Sequence, residues 1–323
     1  MIIDHFAPHT LLAAEPAFAA HARPATLLRP SAGDPGPCDS SVGGPLLWPA
    51  DEPWPVCRAA HRVERRELLS DREREVYQEM DRRMHARRLA SGRGAYMFTA
   101  EEAETQARIM DGARALDMIT WERIRADAVQ PAVPVPMLPV LQLHARDAPD
   151  LPRPAGTDLL QMLRCPDDHP DLPGQPHYGG PNVAIRYRAA ADVDELLTPP
   201  RPESVQDRYR PRPCTLNPVH VVDLPNEDEL PADLPETAET WAEERGIEYA
   251  RTLACLPGWK AGGWPSWHST DLVPIDCVCG ARLRLLLTLD SGSDPGLNVG
   301  RFAELRVFAC PEDLSHPVRM DIQ

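Results

Sequence analysis

The order of apolar and polar positions along the chain reads mainly as short strands separated by turns. Leu283–Leu289 is apolar enough to be a central strand, and Leu305, Val307 and Ala309 alternate with Glu304, Arg306 and Phe308 in the segment that follows. A Cys-Pro pair then ends the second strand, because proline cannot donate to a ladder. The same parts occur in the same order at 139–168 and 283–313. Each block has an apolar strand, an acidic Pro-bearing loop, a glycine (Gly156 or Gly300), a second strand, and Cys-Pro-acidic-Asp at Cys165 or Cys310.

A second pair of matching segments precedes these blocks. GGPLLWPADEPWPVC at 43–57 and GGWPSWHSTDLVPIDC at 262–277 both place a tryptophan (Trp48, Trp267) four residues after a Gly-Gly pair, and both run on to a cysteine, Cys57 or Cys277. The two blocks predict an α+β fold, mostly antiparallel sheet, internally duplicated about a pseudo-twofold axis. Gly43, Gly44, Gly262 and Gly263 suit positive φ or close backbone approach, and Trp48, Trp264 and Trp267 suit covering the ends of a sheet.

Between Cys57 and Leu138 the period changes to that of helices. Ser70-Asp71-Arg72-Glu73 predicts a capping box before the stripe Leu69, Val76, Met80 and Met84, with Gly92 and Gly94 as the stop. Thr99-Ala100-Glu101-Glu102 predicts a second, whose helix carries Ile109, Ala113, Leu116 and Ile124 and ends before Pro131. The expected organisation is a first β-rich repeat over 1–198 interrupted by a helical hairpin at about 62–130, a Pro-rich connection over 199–235 holding one strand at Val219–Asp223, and a second repeat over 236–323 that opens with a helix from Glu236 to Arg251.

Composition narrows the function classes. The chain of 323 residues carries 26% charged residues and a formal net charge of -15, which disfavours nucleic acid and anionic lipid as partners. No stretch has the length of a membrane span, and Asp4, His5 and Glu15 interrupt the early apolar runs, against a signal peptide. A cytoplasmic location with eight reduced cysteines is the expectation. The single lysine, Lys260, carries no functional reading by itself.

Candidate chemistry rests on the cysteines. If the copies face one another, Cys57 and His61 could meet Cys277 and Cys279 in a tetrahedral zinc site, although Cys-x-Cys is tighter than the usual knuckle spacing. Cys165 also has a histidine four residues on, His169, but its counterpart Cys310 has His316 six on, so strand-end packing is the expectation there. Asp290–Gly296 reads as an acidic turn, lacking the closing glutamate of a calcium loop. No nucleophile, phosphate-loop or metalloprotease pattern occurs, and the chain reads as non-enzymatic. The competing reading is a small-ligand or enzyme site in a cleft near Trp54, Trp264, Trp267 and His268.

Gly-Gly-Pro-Leu-Leu-Trp-Pro at 43–49, Leu159-Leu160-Gln161, Lys260-Ala-Gly-Gly-Trp-Pro-Ser-Trp267, the Cys277–Cys279 turn and Phe308-Ala-Cys-Pro311 together resemble the YwqG-like family of uncharacterised bacterial proteins. The resemblance covers roughly 40–60 and 135–323 and implies a duplicated, antiparallel α+β fold. Its distant similarity to the programmed cell death protein 2 group implies a protein-binding role of the escort kind, bacterial relatives in toxin systems imply an immunity role, and the acidic surface would suit a basic protein partner.

Overall fold

The computed structural model describes residues 7–91, 98–203, 205–292 and 294–323. The fold is α+β, and every strand ladder is antiparallel. The chain divides into two units, one over 59–131 and one formed by 1–58 with 132–323.

The larger unit holds two six-stranded sheets. The first has the spatial order β13 (Val219–Asp223), β1 (Arg23–Leu27), β14 (Lys260–Gly262), β15 (Arg284–Asp290), β16 (Glu304–Ala309), β17 (Arg319–Ile322). The second has the order β2 (Ser31–Ala32), β12 (Cys214–Thr215), β3 (Ser41–Val42), β9 (Leu138–His144), β10 (Leu159–Asp168), β11 (Pro181–Arg188). A separate pair joins β4 (Val56–Cys57) to β8 (Val135–Pro136). The chain therefore passes from the first sheet to the second between β1 and β2, and returns between β12 and β13. A cut at 199–235 does not separate the sheets, because the early strand β1 lies between β13 and β14.

The central strands are buried on both faces. β16 has no exposed residue, so the alternation around Arg306 does not place that side chain in water. It is fully buried, donating to the Ser266 carbonyl and pairing with Asp321. Proline ends β16 as expected. In β10, however, the strand continues through Pro166 to Asp168, and the ladder to β11 is irregular between Arg164 and Asp168, where a missing donor is tolerated.

The segment expected as one helix over 236–251 forms two, α4 (Pro235–Glu243) and α5 (Tyr249–Thr252), divided at Gly246 with φ 68°. Trp241 and Tyr249 are buried with Leu11 of α1 (Ala7–Ala14), Phe18, Leu224 and Leu253, and Ile247 packs against that cluster. No described helix is long and apolar enough to cross a membrane.

The smaller unit contains the expected helices, α2 (Asp71–Ser91) and α3 (Ala100–Met110), and both capping boxes form. Gly92 and Gly94 lie outside the described residues. The second helix is much shorter than its stripe predicts. Asp111 and Gly112 both take left-handed conformations, φ 46° and 71°, which ends it. Leu116 and Ile124 instead lie in β6 (Ala115–Asp117) and β7 (Glu122–Val129), which pair with each other, β7 also pairing with β5 (His61–Leu68). Buried Arg123 ties this sheet to the helices, donating to the Ile109 carbonyl and pairing with Glu67 and Glu73.

Candidate metal centres

Two groups of thiols and imidazoles form at the ends of the central strands. The better-defined one begins at an antiparallel bridge, Asp276 to Arg282, backed by an ion pair of 2.8 Å. The bridge encloses a tight turn in which the Gly280 N–H donates to the Cys277 carbonyl at 2.9 Å, with Gly280 at φ 87°. Cys277 and Cys279 sit on this turn. Cys310 follows β16 directly, and Pro311 diverts the chain into a second turn, where Asp313 accepts from the Ser315 N–H at 2.8 Å and brings His316 back. The donor atoms of Cys277, Cys279, Cys310 and His316 all lie within 4.8 Å of one another.

Tetrahedral zinc has Zn–S near 2.3 Å and Zn–N near 2.0–2.1 Å, so neighbouring ligand atoms stand about 3.3–3.8 Å apart. Cys277 Sγ lies 3.3 Å from His316 Nδ1, and Cys279 Sγ lies 3.6 Å from Cys310 Sγ. The second distance is far beyond a disulfide bond, and all eight cysteines are free. Burial opposes ionisation of Cys310, but hydrogen bonds from His316 and from the backbone N–H groups of Asp313 and Glu312 outweigh it and bring the thiol down to about 6. His316 is raised in turn, chiefly by its hydrogen bond to Cys310. Backbone donors aimed at a sulfur stabilise the thiolate that a metal requires.

The second group is more deeply buried. Cys57 lies on β4, Cys165 on β10, and His169 just beyond β10, where its N–H donates to the Gly180 carbonyl at 2.9 Å. All three are at most 1% exposed, and Cys57 Sγ lies 3.6 Å from His169 Nε2. Asn182 Nδ2 donates to Cys57 Sγ at 3.6 Å. The Cys165 thiol is held well above its ordinary range, first by its hydrogen bond with Cys57 and then by burial, while the Asp167 N–H opposes the rise. His61 is buried at the head of β5, four residues after Cys57.

These groups correct the sequence expectation. Cys57 and His61 do not join Cys277 and Cys279 in one site; Cys57 gathers with Cys165 and His169, and Cys277 and Cys279 with Cys310 and His316. The reason is local. Cys165 lies within β10 and meets Cys57 from β4, while Cys310 follows β16 and meets the Cys277–Cys279 turn. Cys165 and Cys310 are buried near the ends of β10 and β16, and His169 and His316 lie beside them in the two groups. The signal was the recurrence of Cys-Pro-acidic-Asp followed by a histidine at slightly different spacing.

The glycines of the paired motifs sit at tight turns and close approaches, and the tryptophans pack under arginines. Gly43, Gly262 and Gly263 have φ 63°, 72° and 77°. A Cβ on Gly43 would stand 2.6 Å from the carbonyls of Pro211 and Arg212. Gly263 packs against the carboxylate of Asp223, which is itself bonded to the single lysine, Lys260, at 2.7 Å. Gly44 takes no left-handed conformation, but a Cβ on it would stand 2.7 Å from Ser41 Oγ. Trp48 is buried against Trp54, ring centroids 5.0 Å apart, and lies under Arg188 at 4.6 Å. Trp267 lies under Arg306 at 4.3 Å and Trp264 under Arg23 at 3.2 Å. The expected cleft uniting Trp54 with Trp264, Trp267 and His268 is not formed: Trp54 lines a different recess, and His268 is exposed. Comparison with known proteins does not name the fold, since no family model matches this chain and no curated protein matches it.

Proposed function

We propose that this protein is a non-catalytic, zinc-stapled scaffold for binding another protein. The observation that carries the metal reading is the convergence of Cys277, Cys279, Cys310 and His316 within 4.8 Å. Four protein donors complete a tetrahedron and leave no position for substrate, which is the pattern of structural zinc. Cys57, Cys165 and His169 supply three donors to a second ion.

The placement of the two groups supports a duplicated origin. β3-β9-β10-β11 and β14-β15-β16-β17 have the same order and pairing, and the thiols Cys165 and Cys310 stand at corresponding strand ends. Gln161 donates to the Leu47 carbonyl where Arg306 donates to the Ser266 carbonyl, each one residue before the paired tryptophan of its Gly-Gly motif. β12 occupies in the second sheet the place that β1 occupies in the first, so the proposed halves exchange their first strands. A likeness to the YwqG-like family accords with this plan, and the net charge of -15 favours a basic protein as the partner, in an escort or immunity role.

The test is metal analysis of the full chain expressed in zinc-supplemented medium and purified without chelator, with X-ray absorption to identify the donors. Two equivalents of zinc with mixed sulfur and nitrogen ligation are expected. Zinc below half an equivalent would overturn the proposal.

A further inference from the structure

A recess of ≈ 330 Å³ opens beside the first sheet of the larger unit. Its walls are apolar, with Trp264, Trp267, Leu285 and Phe308 among them, and its polar groups are of opposite sign. Glu229 stands on one side, with Oε2 buried and without a hydrogen-bond partner. The Trp267 indole N–H lies toward that carboxyl and favours its charged form, without the alignment of a formed hydrogen bond. Arg23, stacked on Trp264, supplies the opposite charge, with Arg282, itself paired with Asp276, at the rim. Arg23 and Glu229 attract one another through space, yet among the described residues they close no ion pair.

An acid and a base held apart in one apolar recess form an incomplete arrangement. A buried carboxyl oxygen without a partner costs stability, and side chains this mobile would normally move together to relieve it. Stacking on Trp264 holds the Arg23 guanidinium in place, and Glu229 is fixed at a 3-10 turn, Glu227–Glu229, capped by Asn226. The gap is matched by a molecule that carries both charges and an apolar body.

We propose that this recess binds a small zwitterionic amino compound of the class of the larger aliphatic and aromatic α-amino acids. The ammonium donates to Glu229, the carboxylate accepts from Arg23 with Arg282 at the rim, and the side chain packs on Leu285 and Phe308. The volume suits a body of that size, and the combination of apolar walls with a few convergent polar groups is that of a small-molecule site. The site is separate from the thiol groups, although Leu285 and Phe308 also pack against Cys277 and Cys310.

The experiment is calorimetric titration of the full chain at pH 8 with L-phenylalanine and L-leucine, and with their N-acetyl and carboxamide derivatives. Saturable binding of at least one free amino acid is expected. Blocking its amine, or Glu229→Gln, weakens binding at least about tenfold, as does blocking its carboxylate, or Arg23→Gln. Absence of saturable binding up to about 10 mM, or equal affinity for the free and blocked compounds, would overturn the proposal. The blocked ligands test the unaltered protein, so the result does not depend on either variant folding. Metal content and amino-acid binding are read separately, and the two proposals can fail independently.

Discussion

Replacing Glu229 by glutamine should stabilise the protein, and more so as pH rises. Burial, the largest effect, raises the Glu229 carboxyl from an ordinary 4.5 to about 7, against the attraction of Arg23 and the neighbouring Trp267, Arg306 and Arg282. A group with a raised folded-state pKa contributes stability that is present below about 4.5 and is lost as pH rises through about 7. At pH 8 the loss is at most about 3.5 kcal/mol, each pH unit of displacement being worth about 1.4 kcal/mol, and residual solvent contact reduces it. The amide carries no charge at any of these pH values. Urea unfolding of the wild type and Glu229→Gln, taken at pH 5 and pH 8, should show a difference that grows by about 2 kcal/mol between the two. A constant difference, or a variant less stable at pH 8, would refute the reasoning. The expected gain also bears on function, because a side chain that weakens the fold is retained most simply for what it binds.

Cys310→Ser should lower bound zinc by about one equivalent and leave the Cys57 group loaded, read by metal analysis of the purified variant; loss of one of four donors is enough to release a structural ion. Lys260→Met strands the buried Asp223 carboxylate, which also accepts from the Leu256 and Trp264 N–H groups at 2.9 and 2.8 Å, and should cost about 3–5 kcal/mol in denaturant unfolding. Gly263→Ala drives a Cβ into the same carboxylate at φ 77° and should cost about 2–4 kcal/mol. The double variant should lose less than the sum, because both changes act on Asp223. Asp111→Gly should leave α3 intact in circular dichroism and change stability by less than about 1 kcal/mol, since relief of a left-handed aspartate is offset by loss of its ion pair with Arg125 at 2.7 Å.

The strands of the two central ladders were legible because their apolar runs and closing turns are local signals. Val219–Asp223 is a strand, the capping boxes at Ser70 and Thr99 form, and Gly43 and Gly263 occupy positions where a Cβ would collide. The second helix of the smaller unit was misread beyond Met110, since Leu116 and Ile124 fit a helical stripe but lie in paired strands, while Ala113 lies in the turn that ends the helix.

Sequence by itself determined the strands of the central ladders, the turns that need glycine, and the cysteines near strand ends, because backbone sterics and side-chain periodicity act over a few residues. Tertiary structure decided what those residues meet. β1 lies between β13 and β14, far along the chain, and that choice depends on backbone donors and acceptors finding one another across long separations. The same closure returns Cys310 and His316 to the Cys277–Cys279 turn and leaves Cys57 with Cys165 and His169. Spacing along the chain cannot choose among such partners, since a donor set is defined by distances between atoms that only the folded sheets bring within 4.8 Å.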